Sequence, residues 1–271
     1  MKQRVLTALV LAPLAIAAVL WLPTALFLAL IAAILLAGRW EWTRLAGLES
    51  PALRAAVLVG HAALMAWLAW RGWPELFKPV TLVGVLWWGF ALLWLGRARL
   101  GHAHRRRNTA AKLVAGTLMM VPAWAAVAML HGGGDDGPRW ALAAVFLVWA
   151  ADTFAYFAGS RIGGPKLAPS ISPGKTWAGF IGGLVGAMLI AIPALPLLGL
   201  EWRQLPALLV LALVTALASV VGDLFESLVK RHSGAKDSGA LIPGHGGVMD
   251  RLDSLLAALP VFAIGKVWLG L

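Results

Sequence analysis

The stretch between positions 223 and 253 mixes carboxylates with basic side chains. Its charged members are Asp223, Glu226, Lys230, Arg231, Lys236, Asp237, Asp250, Arg251 and Asp253. Oxygen ligands in a chain without cysteine favour a hard cation such as Mg²⁺. Interleaved lysine and arginine favour phosphate groups. The mixture therefore predicts a combined metal and phosphate site.

The backbone of this stretch suits the same chemistry. Residues 243–247 read Pro-Gly-His-Gly-Gly, and glycines let bare backbone N–H groups approach an anion. Asp250 and Asp253 are three residues apart, so both can face one side at the start of a helix. Asp223 precedes the loop, which can fold back and bring Asp223 and Asp250 together.

A second block, Ser170 to Trp177, precedes another apolar run. Gly174-Lys175-Thr176 resembles the end of a phosphate-binding P-loop, but Pro169 stands where that motif has its first glycine. We expect no strand before it, which argues against a P-loop NTPase. A helix N-terminus beside Lys175 still predicts an anion site.

The composition indicates which kind of structural element must position these charged groups. Of 271 residues, 61% are hydrophobic and only 13% are charged, against about 25% charged in soluble domains. The mean hydropathy is +0.82. These values predict an all-α, polytopic integral membrane protein of about nine transmembrane helices.

Nine apolar runs are candidate membrane spans. They cover residues 5–22, 24–37, 55–70, 79–95, 109–130, 140–159, 177–199, 205–225 and 255–271. The second and third are short, which allows re-entrant or tilted segments. We expect residues 1–139 to form the N-terminal helices and 140–271 the catalytic region, with hydrophilic loops at 160–176 and 226–254. Asp152, near the end of the sixth span, suits either function or structural pairing.

The basic residues predict the orientation. With the N-terminus in the cytoplasm, most of the 23 lysines and arginines fall on the inner side, as the positive-inside rule requires. The loops at 160–176 and 226–254 are then cytoplasmic. The net charge of +11 suits an anionic lipid surface. Because the charges are spread over short loops, we expect no nucleic-acid partner.

The chain from Ser227 to Asp253 resembles the phosphatidate cytidylyltransferase, or CDP-diacylglycerol synthase, family. The family pattern runs S-x-hydrophobic-K-R-x4-K-D-x-small-x2-hydrophobic-P-x-H-G-G-x-x-D-R-hydrophobic-D, and every position agrees. A block from Asp152 to Trp177 is similar to a second family motif. There the family commonly has glutamate after the tryptophan, and this chain has Ala178.

The resemblance implies an enzyme that converts CTP and phosphatidate into CDP-diacylglycerol and pyrophosphate. It also implies Mg²⁺, with room for a second cation, and a homodimer in the cytoplasmic (inner) membrane. In a site of this kind a lipid phosphate is the nucleophile, so no protein base is required. Metal and basic side chains would act by positioning and electrostatics.

The resemblance also implies roles for individual residues. Asp223 and Asp250 would be metal ligands and catalytic, with Asp253 or Glu226 as secondary ligands. Lys175, Lys230, Arg231, Lys236 and Arg251 would hold phosphates, with Lys236 and Arg251 counted as catalytic. His245 would be an anion contact or a structural donor. Ser172 and Thr176 would bind phosphate or cap the seventh helix.

Three other functions remain open on the sequence. A related cytidylyltransferase could act on another lipid phosphate, such as an isoprenoid ether lipid. A transporter would also have intramembrane acids and helices broken by glycine or proline, but no inverted repeat is visible. A CDP-alcohol phosphotransferase would need a D-G-x-x-A-R core, which the sequence lacks.

Overall fold

The computed structural model describes residues 2–71, 75–102, 106–241 and 246–271, with only the backbone described for residues 2–8. The described residues form nine α-helices, which confirms the predicted all-α class. The helices are α1 (Lys2–Trp21), α2 (Thr24–Leu45), α3 (Pro51–Arg71), α4 (Phe77–Leu95), α5 (Arg106–His131), α6 (Gly137–Arg161), α7 (Trp177–Leu197), α8 (Leu205–His232) and α9 (Met249–Trp268).

Seven of these helices, α2 to α8, are long and apolar enough to cross a membrane. The second and third are full length, so re-entrant segments are not needed there. The apolar part of α1, Leu9–Trp21, is shorter. That α1 and α9 also cross the membrane stays a prediction.

Two helices extend beyond their predicted spans. α2 continues to Leu45, so Arg39 and Arg44 lie on a helix and not in a loop. α8 continues to His232, so residues 226–232 of the predicted loop are helical. Each extension carries a buried charged side chain, Arg39 on α2 and Glu226 on α8, which local hydropathy does not reveal.

A small β-hairpin precedes α7. Its strands are β1 (Lys166–Ala168) and β2 (Ser172–Thr176), and they pair antiparallel with Lys166 opposite Thr176. The expectation that no strand precedes the Gly-Lys-Thr sequence was wrong. The strand belongs to a two-stranded hairpin and not to the parallel sheet of a P-loop fold.

Helix α5 is the most buried span and packs against α2, α4, α6 and α9. α6 packs on α7 through small residues. A Cβ on Gly179 would lie 2.9 Å from the carbonyl oxygen of Ala155, and one on Gly183 would lie 3.0 Å from that of Ala151. This small-residue contact is typical of membrane helices. It holds the hairpin, which directly precedes the first residue of α7, against α6.

An aromatic cluster surrounds Phe225 near the charged end of α8. Phe225 on α8 is surrounded by Trp42, Trp87, Trp88 and Trp94, with ring centroids 5.6–6.3 Å away. These contacts join α2, α4 and α8. They give the charged end of α8 a fixed position.

Candidate active site

The hairpin brings Lys175 to the polar end of α8. The Lys175 ammonium nitrogen lies 2.6 Å from Oδ2 of Asp223, and each side chain is a little over one-quarter exposed. The hydroxyl of Ser227 also donates to Oδ1 of Asp223, at 3.3 Å. Two blocks that are distant in sequence therefore meet in one ion pair.

This ion pair lies on the wall of a cavity of about 420 Å³ between α6, α7, α8 and the hairpin. Its polar lining includes Asp152, Ser160, Lys175, Thr176, Ser219 and Asp223. The rest of the wall is mostly alanine, glycine and other apolar side chains. A cavity with a charged end and an apolar wall suits a phosphate group attached to an apolar body.

Lys230 forms a second ionic group one helical turn beyond Glu226. Its ammonium nitrogen lies 2.5 Å from Oε2 of Glu226 and 2.7 Å from Oδ1 of Asp250. Oδ2 of Asp250 accepts hydrogen bonds from the backbone N–H groups of Ser238, at 2.9 Å, and Gly247, at 2.8 Å. Asp250 thus fixes the loop to the first turn of α9.

A close contact between α8 and α9 brings more carboxylates together. Gly222 has no room for a Cβ because the carbonyl oxygen of Asp253 is too near. The Asp253 carboxyl interacts electrostatically with Asp223, Glu226 and Asp152. Asp152 also interacts with Lys175 and with Arg251. The two ionic groups are therefore parts of one charged cluster.

The donor set of this cluster fits a divalent cation. Carboxylates outnumber the cationic side chains that contact them within the described residues, and Oε1 of Glu226 is buried there without a hydrogen-bond partner. Excess negative charge in a poorly solvated site favours a bound cation. However, in the described part of the chain no three histidine, aspartate or glutamate side chains are already arranged as a metal-binding group.

The predicted metal pair has separate partners: Asp223 contacts Lys175, and Asp250 contacts Lys230. A cation shared by the two aspartates stays a prediction. The same holds for Asp253 and Glu226 as secondary ligands.

The remaining predicted residues differ in their surroundings. Thr176 caps α7, because its hydroxyl accepts a hydrogen bond from the N–H of Gly179 at 3.1 Å. Arg231 Nε donates to the carbonyl oxygen of Ile171 at 3.3 Å and so joins α8 to the hairpin. Ser172 lies on β2 and is half-buried.

Lys236 and Arg251 are exposed, which leaves their side chains accessible to a soluble anion. His245 lies outside the described residues.

Sequence reasoning missed Glu41 and Arg44, at the end of α2. Glu41 is 4% exposed, and its Oε2 accepts a hydrogen bond from the hydroxyl of Ser238 at 2.9 Å. Arg44 donates to the carbonyl oxygen of Ser238 at 2.9 Å. The only available signal was an acid in a Trp-Glu-Trp sequence directly after an apolar run.

The helical bundle defines a polytopic membrane protein, and the charged cluster lies at one end of it. The sequence model of the cytidylyltransferase family matches residues 2–267. The chain belongs to this family.

Three bacterial relatives carry the name phosphatidate cytidylyltransferase. The Pseudomonas aeruginosa protein is 40% identical over 97% of this chain and 96% of its own length. The Haemophilus influenzae protein is 38% identical over 97% of both chains. The Brucella abortus protein is 37% identical over 81% of this chain and 69% of its own length.

Proposed function

We propose that the charged cluster is the active site at which this enzyme joins CTP to phosphatidate, giving CDP-diacylglycerol and pyrophosphate. The function follows from membership of the family and from relatives of that activity that match almost the whole chain. The observation that supports the location is the Lys175–Asp223 pair on the wall of a half-apolar cavity.

In this reaction an oxygen of the phosphatidate phosphate attacks the α-phosphorus of CTP. The new bond joins the lipid phosphate to the cytidylyl group, and the bond from the α-phosphorus to the β-phosphate oxygen breaks. Pyrophosphate leaves with the bonding electrons. A phosphomonoester is largely dianionic at neutral pH because its second pKa is about 6, so no side chain needs to remove a proton.

The chain must then bring two polyanions together and orient them. We propose that Lys175 holds the lipid phosphate at the cavity, with Ser172 nearby on the same hairpin. Arg251 and Lys236, which are exposed, bind the triphosphate of CTP. Lys230 and Arg231 support this region from α8, with His245 as a further anion contact. Positioning of this kind supplies much of the catalysis in phosphoryl transfer.

We propose Mg²⁺ as the cofactor, with room for a second cation, held by Asp223, Asp250, Asp253 and Glu226. When bound, Mg²⁺ would neutralise charge on the phosphates and on the pyrophosphate leaving group. Without it, the surplus carboxylates would repel both substrates. Binding of Mn²⁺ to the purified protein, measured by its paramagnetic signal and lost in Asp223→Asn, tests this assignment.

We propose that the N-terminus and the active-site end face the cytoplasm, in the inner membrane of a bacterium, where CTP is available. The chain has no cysteine, so single cysteines at the exposed positions Arg99, Ala240 and Asp135 give clean labelling. A membrane-impermeant reagent should label the first two from the inner side and the third from the outer side. Labelling of positions 99 and 240 from opposite sides would disprove the arrangement.

The resemblance also predicts a homodimer, without a nucleic-acid partner. Light scattering of the purified protein, corrected for bound detergent, measures the mass of the particle and decides this point.

We further propose that residues 140–271 supply the catalytic groups and that residues 1–139 form the supporting helices.

The deciding experiment uses purified protein, Mg²⁺, labelled CTP and phosphatidate. Pyrophosphate release should require both substrates. Release with an isoprenoid ether lipid phosphate, and none with phosphatidate, would favour the related cytidylyltransferase. No pyrophosphate release with any lipid phosphate would disprove the proposed cytidylyltransferase activity. A transporter is disfavoured because the acids cluster at one end of the bundle and not at its middle.

A further inference from the structure

Glu41 reaches from α2 into the loop between α8 and α9. Its Oε2 accepts hydrogen bonds from the Ser238 hydroxyl, at 2.9 Å, and from the backbone N–H of Met249, at 3.0 Å. Met249 is the first residue of α9, and Val248 before it provides no side-chain cap. Glu41 therefore supplies the missing acceptor, and its charge suits the positive end of α9.

Two glycines make room for the Glu41 carboxylate. A Cβ on Gly239 or on Gly247 would overlap the carboxylate atoms of Glu41. The packing of Glu41 therefore requires glycine at positions 239 and 247. The hydrogen bonds of Glu41 in this region join residues 197 and 208 positions apart in the sequence.

Ser238 connects Glu41 to the ionic group around Lys230. The Ser238 side chain is fully buried. Its N–H donates to Oδ2 of Asp250 at 2.9 Å, and its carbonyl oxygen accepts from Arg44 at 2.9 Å. Asp250 in turn contacts Lys230. A displacement of Ser238 would therefore move both Asp250 and Lys230.

The helix that carries Glu41 is itself held in place. Trp42 Nε1 donates to the carbonyl oxygen of Lys112 at 2.7 Å, and Arg39 donates to that of Leu113 at 2.9 Å. Both acceptors lie on α5, the most buried helix. Glu41 therefore extends from a fixed support and not from a surface segment.

We propose that Glu41 is a positioning residue for the transfer reaction. It fixes Ser238 and the first turn of α9, and so sets where Asp250 and Lys230 stand relative to the substrates. Its hydrogen bonds within the described residues go to Ser238 and Met249, neither of which we place at the substrates. The inference rests on the proposed function for its kinetic consequences, but the contacts that carry it do not depend on that function.

The test compares Glu41→Gln with Glu49→Gln, an exposed glutamate just beyond α2 that serves as the control. The amide keeps the shape, and its carbonyl oxygen can still accept from both donors, because both hydrogen bonds go to Oε2. The change removes the charge and puts an NH₂ group at the position of the buried Oε1, which has no hydrogen-bond partner within the described residues. We expect kcat to fall about tenfold, because hydrogen bonds to charged groups contribute more than neutral ones. The KM for phosphatidate should not change, because Lys175 is not on this loop. Glu49→Gln should match the unaltered protein.

Two further measurements separate positioning from general stability. Because the chain lacks cysteine, Ala240→Cys accepts a spin label in the loop, and its mobility should rise in Glu41→Gln and not in Glu49→Gln. Ser238→Ala should be non-additive with Glu41→Gln, since both act through one hydrogen bond. The melting temperature and the monodisperse fraction are measured for every variant.

The proposal fails if Glu41→Gln keeps full turnover, or if it loses turnover only in proportion to folded protein while the label at position 240 is unchanged. It also fails if the KM for phosphatidate rises and kcat does not fall. If the unaltered protein has no CTP-dependent activity but the label still responds to Glu41→Gln, the proposed function is wrong and the structural role of Glu41 stands.

Discussion

Asp223 and Asp250 lie in two regions of the same charged cluster and have opposite surroundings. Asp223 is on the wall of the cavity, about one-quarter exposed, and its ion pair is with Lys175. The Asp250 side chain is 8% exposed, and Lys230, Ser238 and Gly247 all donate to it. A ligand can reach the first carboxylate directly, whereas a cation at the second must share its oxygens with donors from the protein.

The difference suggests a division of labour that sequence spacing alone does not reveal. A carboxylate that is partly open can exchange its lysine partner for a cation or let that lysine bind a phosphate. A carboxylate whose oxygens accept three donors holds its loop in place, and removing its charge leaves those donors unpaired. Mutations at the two positions should therefore affect different properties.

Asp223→Asn should give the largest loss of activity. The change preserves shape but removes the charge that faces the cavity, so turnover should fall by about 10²–10³-fold. The melting temperature should change little, because the site is partly solvated. Steady-state pyrophosphate release and a thermal melt measure the two quantities. Asp135→Asn, in the loop before α6, is the control and should be near neutral.

Asp250→Asn should lower both activity and stability. Its backbone donors and Lys230 lose a charged acceptor, which costs about 1.5–3 kcal/mol for a hydrogen bond to a charged group. Turnover should fall by about 10²-fold because the loop shifts. Excess Mg²⁺ should not restore it.

A contrary result at position 250 would be informative. If Asp250→Asn keeps its melting temperature but requires much more Mg²⁺, then Asp250 acts mainly as a metal ligand and not by holding the loop, and the contrast with Asp223 is wrong. Mn²⁺, which binds mixed ligands more tightly, would then restore more activity than Mg²⁺.

Lys175→Ala should weaken the use of phosphatidate. The change removes the cation from the cavity wall and leaves Asp223 without its partner, so kcat/KM for phosphatidate should fall by about 10–10²-fold. The protein should still insert into the membrane and extract normally. Lys166→Ala, on the exposed start of the same hairpin, is the matched control. Equal effects of the two changes would mean that the hairpin, and not Lys175, matters.

The sequence predicted the helices well because each apolar run has the length that a membrane requires. It placed the ends of α2 and α8 too early, because local hydropathy does not show that the charged side chains of Glu41 and Glu226 are buried in the folded protein. The hairpin was missed because strands this short, with Pro173 and Gly174 in one of them, have no periodic signal.

The candidate site shows the same limit. Lys175 was predicted to hold a phosphate and Asp223 to bind a metal in the same site, and the two side chains form an ion pair. The contact of Glu41 with Ser238 could not be predicted, because the two residues are 197 positions apart and no local pattern pairs them. Local composition identifies which residues could do chemistry, and tertiary packing decides which of them face a ligand.

Thr176→Ala should have the smallest effect on activity, which sharpens the contrast between groups that hold the structure and groups that face substrate. The Thr176 side chain is buried and its hydroxyl accepts from the N–H of Gly179. Loss of an N-cap costs about 0.5–2 kcal/mol, so the melting temperature should fall while turnover stays within about threefold, less than 1 kcal/mol in the barrier. Thr176→Ser, which keeps the cap, should restore the melting temperature. A large fall in turnover in Thr176→Ala at an unchanged melting temperature would instead make Thr176 a phosphate ligand.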